Sequence, residues 1–200
     1  GDVVFYALNR APGEFANFWL KYMRLRRKKN GDGWQGLPTD IEHAFNLIVS
    51  TSTNRGKTAS IMLCCYFDEL QRLAPQFVSM RLSPMFAWPE NDKFALWCWE
   101  AFLGSGCVWP MVLTEALLPS FTNIIRENAL PKGVTEHAID LAAWLTIYRF
   151  ENPLEGGWFE QLLKALSSPD KVEYARLIGV YLLKAQWENQ TTYWRRWILE

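Results

Sequence analysis

Apolar residues recur at three- and four-residue spacing along almost the whole chain, and no segment alternates polar and apolar positions over strand length. That period belongs to helices that each bury one side. Near the N-terminus Phe15, Phe18, Trp19, Tyr22 and Leu25 fall at helical spacing and give a helix one apolar face, running up to the basic stretch RLRRKK. The linker NGDGWQGLP, with three glycines and Pro38, ends it. Thr39 or Asp40 then reads as the N-cap of a helix carrying Ile41, Phe45 and Ile48, with Glu42 in its first turn.

The pattern next predicts one helix from about Gly56 to Leu73, closed by Pro75. KFALWCWEAFLG is apolar nearly all round and reads as a central helix that stops at the glycines of GSG. Further on, Pro119 inside VWPMVLTEALLPSFTNIIREN predicts a kink or two abutting helices, and Thr135 reads as the N-cap of VTEHAIDLAAWLTIYRF. The segments GGWFEQLLKALSS, PDKVEYARLIGVYLLKAQW and QTTYWRRWILE complete the pattern. The expectation is an all-α fold of about 8–10 helices, an irregular α-solenoid-like (HEAT-like) stack of antiparallel helix pairs without an exact repeat. Residues 1–200 are expected to form a single helical domain, read as a fragment of a longer multidomain protein.

Charge narrows the function classes. Lys plus Arg is 21 and Asp plus Glu is 21, so the net charge is zero and nothing draws the whole chain to nucleic acid or an anionic surface. The longest uncharged apolar run, Ala101 to Thr114, is too short to span a bilayer and contains Gly104, Gly106 and Pro110. No membrane role is expected. Cys64, Cys65, Cys98 and Cys107 form no Cys-x-x-Cys pair and read as buried, reduced thiols of an intracellular, cytoplasmic protein. His43 and His137 lie far from them in sequence, so neither a metal site nor any other cofactor is expected.

The stretch STSTNRGKT, residues 50–58, resembles part of a phosphate-binding loop. Such a loop requires a glycine five residues before Gly56, where this chain has Thr51. It also requires a preceding buried strand, and Ile41 to Val49 reads as helix. A helix–helix connection is expected instead, with Gly56 making the turn and Thr58 helping to cap the next helix. Asp68 and Glu69, as neighbours, point to different faces and form no cooperating pair. Glu100 sits in a very apolar helix. It is expected at a solvent-facing edge or paired with an Arg, and a cryptic hydrolase would need it buried.

Two basic features are candidate partner-binding sites. One is Arg26, Arg27, Lys28 and Lys29 at a helix C-terminus, where cations also suit the helix dipole. The other is Arg195 and Arg196 between Trp194 and Trp197, an arrangement usable by a protein hot spot or by single-stranded nucleic acid.

Several phrases together carry a family resemblance: Asn9 to Gly13 with Phe18-Trp19-Leu20, Leu82 to Trp88, the Trp97 to Gly104 helix, Leu118-Pro119, Trp158 and Trp194 to Trp197. Across nearly its whole length the chain resembles a bacterial domain of unknown function found C-terminal to the sirtuin-like domain of anti-phage defence proteins. The resemblance implies a non-catalytic sensor or regulatory domain that binds a protein partner, either a phage-derived trigger or a neighbouring domain or subunit, with oligomerisation as a further expectation. NAD consumption would belong to a separate domain of the parent protein. Nucleic-acid binding through the basic helix ends and a cryptic hydrolase are the alternatives.

Overall fold

The computed structural model describes residues 3–89, 92–105, 117–148 and 157–184. Every regular element among them is helical, so the fold is all-α. The chain divides into two compact units, residues 1–112 and 113–200.

In the first unit, α1 (Val3–Leu8) leads into α2 (Ala11–Asn30), followed by α3 (Thr39–Ser50), α4 (Asn54–Cys65), α5 (Phe67–Leu73), the single turn α6 (Pro75–Phe77) and α7 (Asp92–Gly104). A π-helical turn (Val78–Leu82) and a 3-10 turn (Ser83–Phe86) fill the gap before α7. The centre is α4, against which α1, α2, α3 and α7 all pack. Its Ala59 to Cys65 are buried without a break. Such packing describes a hub, and the stacked pairs expected from the sequence stay an expectation.

Below α4 lies an aromatic cluster. Phe86 meets Phe67 and Trp99 edge-on, with ring centroids 5.0 Å apart in both pairs. Buried Trp99 donates its indole N–H to the Phe86 carbonyl at 2.9 Å. Aromatic burial dominates core energetics, and the indole hydrogen bond removes the cost of hiding a polar group.

Three local expectations change here. The helix expected from Gly56 to Leu73 breaks at Tyr66, whose φ of −110° and ψ of 23° leave the helical region. The Arg24 guanidinium lies 4.6 Å from the Tyr66 ring centroid, and its Nε donates to Glu69 at 2.9 Å, so α2 holds the bend. Pro38, not Thr39 or Asp40, occupies the cap position of α3, with no side-chain capping bond. Gly56 does not make the turn before α4: it lies inside the helix, and Thr53 caps that helix by accepting the Gly56 N–H at 3.3 Å. Thr58 instead donates to the Asn54 carbonyl within α4. Gly56 is required by packing, since a Cβ there would collide with the Thr51 carbonyl and side chain.

The second unit contains α8 (Leu118–Arg126), α9 (Lys132–Tyr148), α10 (Trp158–Ala165) and α11 (Ser168–Lys184), with α8 against α10 and α9 against α11. Pro119 stands in the first turn of α8, where its missing N–H costs nothing. Thr135 is not a cap: its hydroxyl donates to the Pro131 carbonyl, and α9 starts earlier, at Lys132. Helix α8 closes with Asn128 at φ 48°, so that Asn128 N–H bonds the Ile125 carbonyl and Ala129 N–H the Ile124 carbonyl. That is the Schellman arrangement, in which asparagine substitutes for the usual glycine. Between α9 and α11, buried Thr146 and Tyr174 share a 2.6 Å hydroxyl contact. Tyr181 donates to Asp140 at 2.7 Å.

Candidate functional site

Much of the aromatic face of α2 lies outside the core. The buried positions of α2 are Gly13, Ala16, Leu20 and Met23. Phe15, Phe18 and Leu25 are 47%, 58% and 66% exposed. Small residues explain this: a Cβ on Gly13 would strike the Ala7 carbonyl and crowd Met62, so glycine lets α1 and α4 approach the helix closely. The bulky rings cannot fit at that distance and take the other side.

Those rings form a continuous patch. Phe15 and Phe18 each meet Trp19 edge-on, at centroid distances of 6.4 and 5.6 Å. Phe18 stacks on Tyr22 with planes 2° apart, and Tyr22 meets Trp19 edge-on at 5.7 Å. Arg26 joins the patch to the basic end of the helix: its guanidinium donates to the Tyr22 hydroxyl at 3.0 Å and lies 5.6 Å from the ring centroid. Arg27, Lys28 and Lys29 follow in the last turn, all exposed. Glu14, in the first turn, puts one carboxylate at the opposite end. The face is therefore aromatic in the middle and strongly basic at its C-terminal end. Arg24, in contrast, is turned to α5 and held by Glu69, whose hydrogen bond raises the guanidinium's already high pKa.

Of the other candidates, Arg195 and Arg196 lie outside the described residues, as does Cys107. Glu100 is not at a solvent edge. It is buried, with 8% of its surface exposed, and its carboxylate accepts the Val3 N–H at 3.4 Å. Burial follows from its place on α7, one residue after Trp99 on a helix packed against α1 and α4. Asp68 and Glu69 do point apart, to Arg72 and Arg24 respectively. Cys64, Cys65 and Cys98 are free thiols in the core, and burial pushes the Cys64 thiol well up, with the neighbouring Cys98 adding to the effect. His43 is on α3 of the first unit and His137 on α9 of the second. Among the described residues no three His, Cys, Asp or Glu side chains gather as metal ligands would, and no helix is long and apolar enough to cross a membrane.

The aromatic stripe and the basic run are both legible in the sequence, but which stripe of α2 packs against its neighbours is not. The missed signal is Gly13-x-x-Ala16, a second stripe whose small side chains mark a close helix contact. No family model, no curated protein and no solved structure matches the chain.

Proposed function

We propose that the chain is a helical interaction module and that the exposed face of α2 is its contact surface for a protein partner. The observation that supports this reading is the patch of exposed Phe15 and Phe18 against half-buried Trp19 and Tyr22, on a helix that has a well-packed opposite side. Clustered exposed aromatics with an arginine at their edge are the composition of binding hot spots. The charge layout selects the partner: an apolar ridge continued by carboxylates that meet Arg27, Lys28 and Lys29. The family resemblance extends the proposal to a regulatory domain of a sirtuin-like anti-phage protein. In that setting the partner is a phage-derived trigger or the attached NAD-consuming domain, in the bacterial cytoplasm.

The test is site-specific photocrosslinking in cells carrying the parent protein, with the photoreactive residue at Phe18 or at Val172, which is 72% exposed on α11. The expected result is a nuclease-resistant protein adduct at position 18, absent at position 172 and lost when Lys28 and Lys29 are changed to Glu. Equal labelling at both positions, or none at position 18, overturns the proposal. An adduct destroyed by nuclease transfers the face to the nucleic-acid reading.

A further inference from the structure

The segment that fails as a phosphate-binding loop lines a cavity. Its residues Asn54, Lys57 and Thr58, from the first turns of α4, form one wall of a space of about 740 Å³. Phe5 and Tyr6 of α1, Ile61 of α4 and Trp97 of α7 form the apolar walls, and Arg10 also lines the space. A second space of about 610 Å³ shares Tyr6, Arg10, Asn54 and Thr58 with the first and adds Arg55. Volumes of this size suit a nucleotide-sized ligand.

The charge here is one-sided. Arg10 lines both spaces, Lys57 the first and Arg55 the second, and among the described residues no carboxylate lines either of them. Some cations elsewhere are held by carboxylates: Arg24 by Glu69, Arg72 by Asp68, Lys164 by Glu160, Arg176 by Glu173. Among the described residues, the contacts of Arg10 and Lys57 are aromatic instead, with Arg10 4.9 Å from the Tyr6 ring centroid and Lys57 5.3 Å from that of Phe94. A further cation, Lys93, lies 5.3 Å from the centroid of the Trp97 ring that lines the cavity. Buried Glu100, one turn beyond Trp97 on α7, accepts the N–H of Val3, which is itself a lining residue. Arg55 and Lys57 belong to the start of α4, a 12-residue helix where the Thr53 hydroxyl accepts the Gly56 N–H and the Thr53 carbonyl the Lys57 N–H, which leaves the N–H groups of Asn54 and Arg55 without acceptors in the helix.

We infer that these two adjoining spaces, which share Tyr6, Arg10, Asn54 and Thr58, together bind an aromatic phosphate monoester of nucleotide size. Its ring lies against Tyr6 and Trp97, and its phosphate is held by Arg10, Arg55 and Lys57 at the start of α4. The guanidinium fork matches phosphate oxygens in pairs, and the amides of a helix start favour the same charge. The apolar walls require the ring, since inorganic phosphate would leave them wet. The inferred site is a binding site: among the described residues no wall side chain supplies a carboxylate or imidazole as general base.

Isothermal titration of the 200-residue chain with AMP, adenosine and inorganic phosphate tests it. AMP is expected to saturate one site, with adenosine and inorganic phosphate each weaker by roughly tenfold or more, and with affinity falling as salt rises. Arg55→Glu places a carboxylate in the first turn of α4, where the helix dipole favours it. It is expected to keep the melting temperature and to weaken AMP by roughly tenfold or more. Arg10→Gln is the second variant, because the Arg10 side chain makes no capping bond to α2; it is expected to show the same loss. Absence of saturable AMP binding, adenosine binding as tightly as AMP, or unchanged affinity in folded Arg55→Glu or Arg10→Gln overturns the inference.

Discussion

Helices α2 and α4 pack against each other in the same unit and use their apolar residues in opposite ways. In α4 the buried run Ala59 to Cys65 covers every side of the helix, because neighbours approach from all around. In α2 the inner line is Gly13, Ala16, Leu20 and Met23, while the larger rings of Phe15 and Phe18 stand in solvent. Side-chain volume, and not hydrophobicity alone, decides which stripe of an apolar helix faces a close neighbour. A helix with two apolar stripes has one for folding and one left over.

The two faces of α2 can be set against each other by mutation. Leu20→Ala removes a fully buried side chain and is expected to lower the unfolding free energy by about 2–5 kcal/mol. Phe18→Ala removes a larger side chain that is 58% exposed and is expected to change stability by no more than about 0.5 kcal/mol. Chemical denaturation of both variants measures the contrast. Equal losses would mean that Phe18 is part of the fold and would remove the contact surface proposed for it.

Gly13→Ala sharpens the same contrast, with propensity and packing pulling in opposite directions. In a helix the exchange is favourable by about 1 kcal/mol. Here the new Cβ would meet the Ala7 carbonyl, which is backbone and cannot swing away. Overpacking of that kind costs about 1–3 kcal/mol, so the net effect in denaturation is expected to be destabilising. A stabilised Gly13→Ala protein would show that the close approach of α1 to α2 is not what turns the aromatic face outward.

The all-α class was legible because the helical period persists through KFALWCWEAFLG, FTNIIREN and the segments after them. The stop at Pro75 and the separation of Asp68 from Glu69 were legible for equally local reasons, ring closure and helical geometry. The orientation of α2 was not, because Phe15 to Leu25 and Gly13 to Met23 are both valid stripes and only the distance to α4 chooses between them. The break at Tyr66 depends on Arg24, more than forty residues earlier in the chain, and no local pattern contains it. The same holds for the cavity. Arg10, Arg55 and Lys57 are unremarkable in sequence, and they become a cluster only when α1 is laid beside the start of α4.

In the second unit the corresponding contrast is between hydroxyls. Tyr174 is buried, and burial pushes its phenol up to about 12, against the Thr146 hydrogen bond that lowers it. Tyr181, half-buried, is also raised by burial, with its bond to Asp140 adding to the shift. Tyr181→Phe is expected to cost about 1 kcal/mol, read as a lower denaturation midpoint with an unchanged slope. A change in slope would mean that the α9–α11 contact itself had loosened.

The smallest effect expected is also a matter of inside against outside, between two adjacent carboxylates. Glu69 reaches Arg24 on α2 through three hydrogen bonds. Asp68 is buried, with Oδ2 accepting from Arg72 at 3.1 Å and Oδ1 enclosed without a hydrogen-bond partner. Burial raises the Asp68 pKa, and the opposing pull of Arg72 does not cancel it. A carboxyl with a raised folded-state pKa keeps its proton to higher pH in the folded protein than in the unfolded chain. Its contribution is therefore fully present below the unfolded value of about 3.9 and is lost as pH rises through the folded one. Asp68→Asn cannot ionise and escapes that loss. The stability of Asp68→Asn relative to the parent should rise as pH is taken from below about 4 to neutrality, whatever fixed offset the amide introduces. Denaturation of both proteins across that range measures the difference, in which the other titrating groups largely cancel. A difference that moves the other way would mean that Arg72 outweighs burial at Asp68.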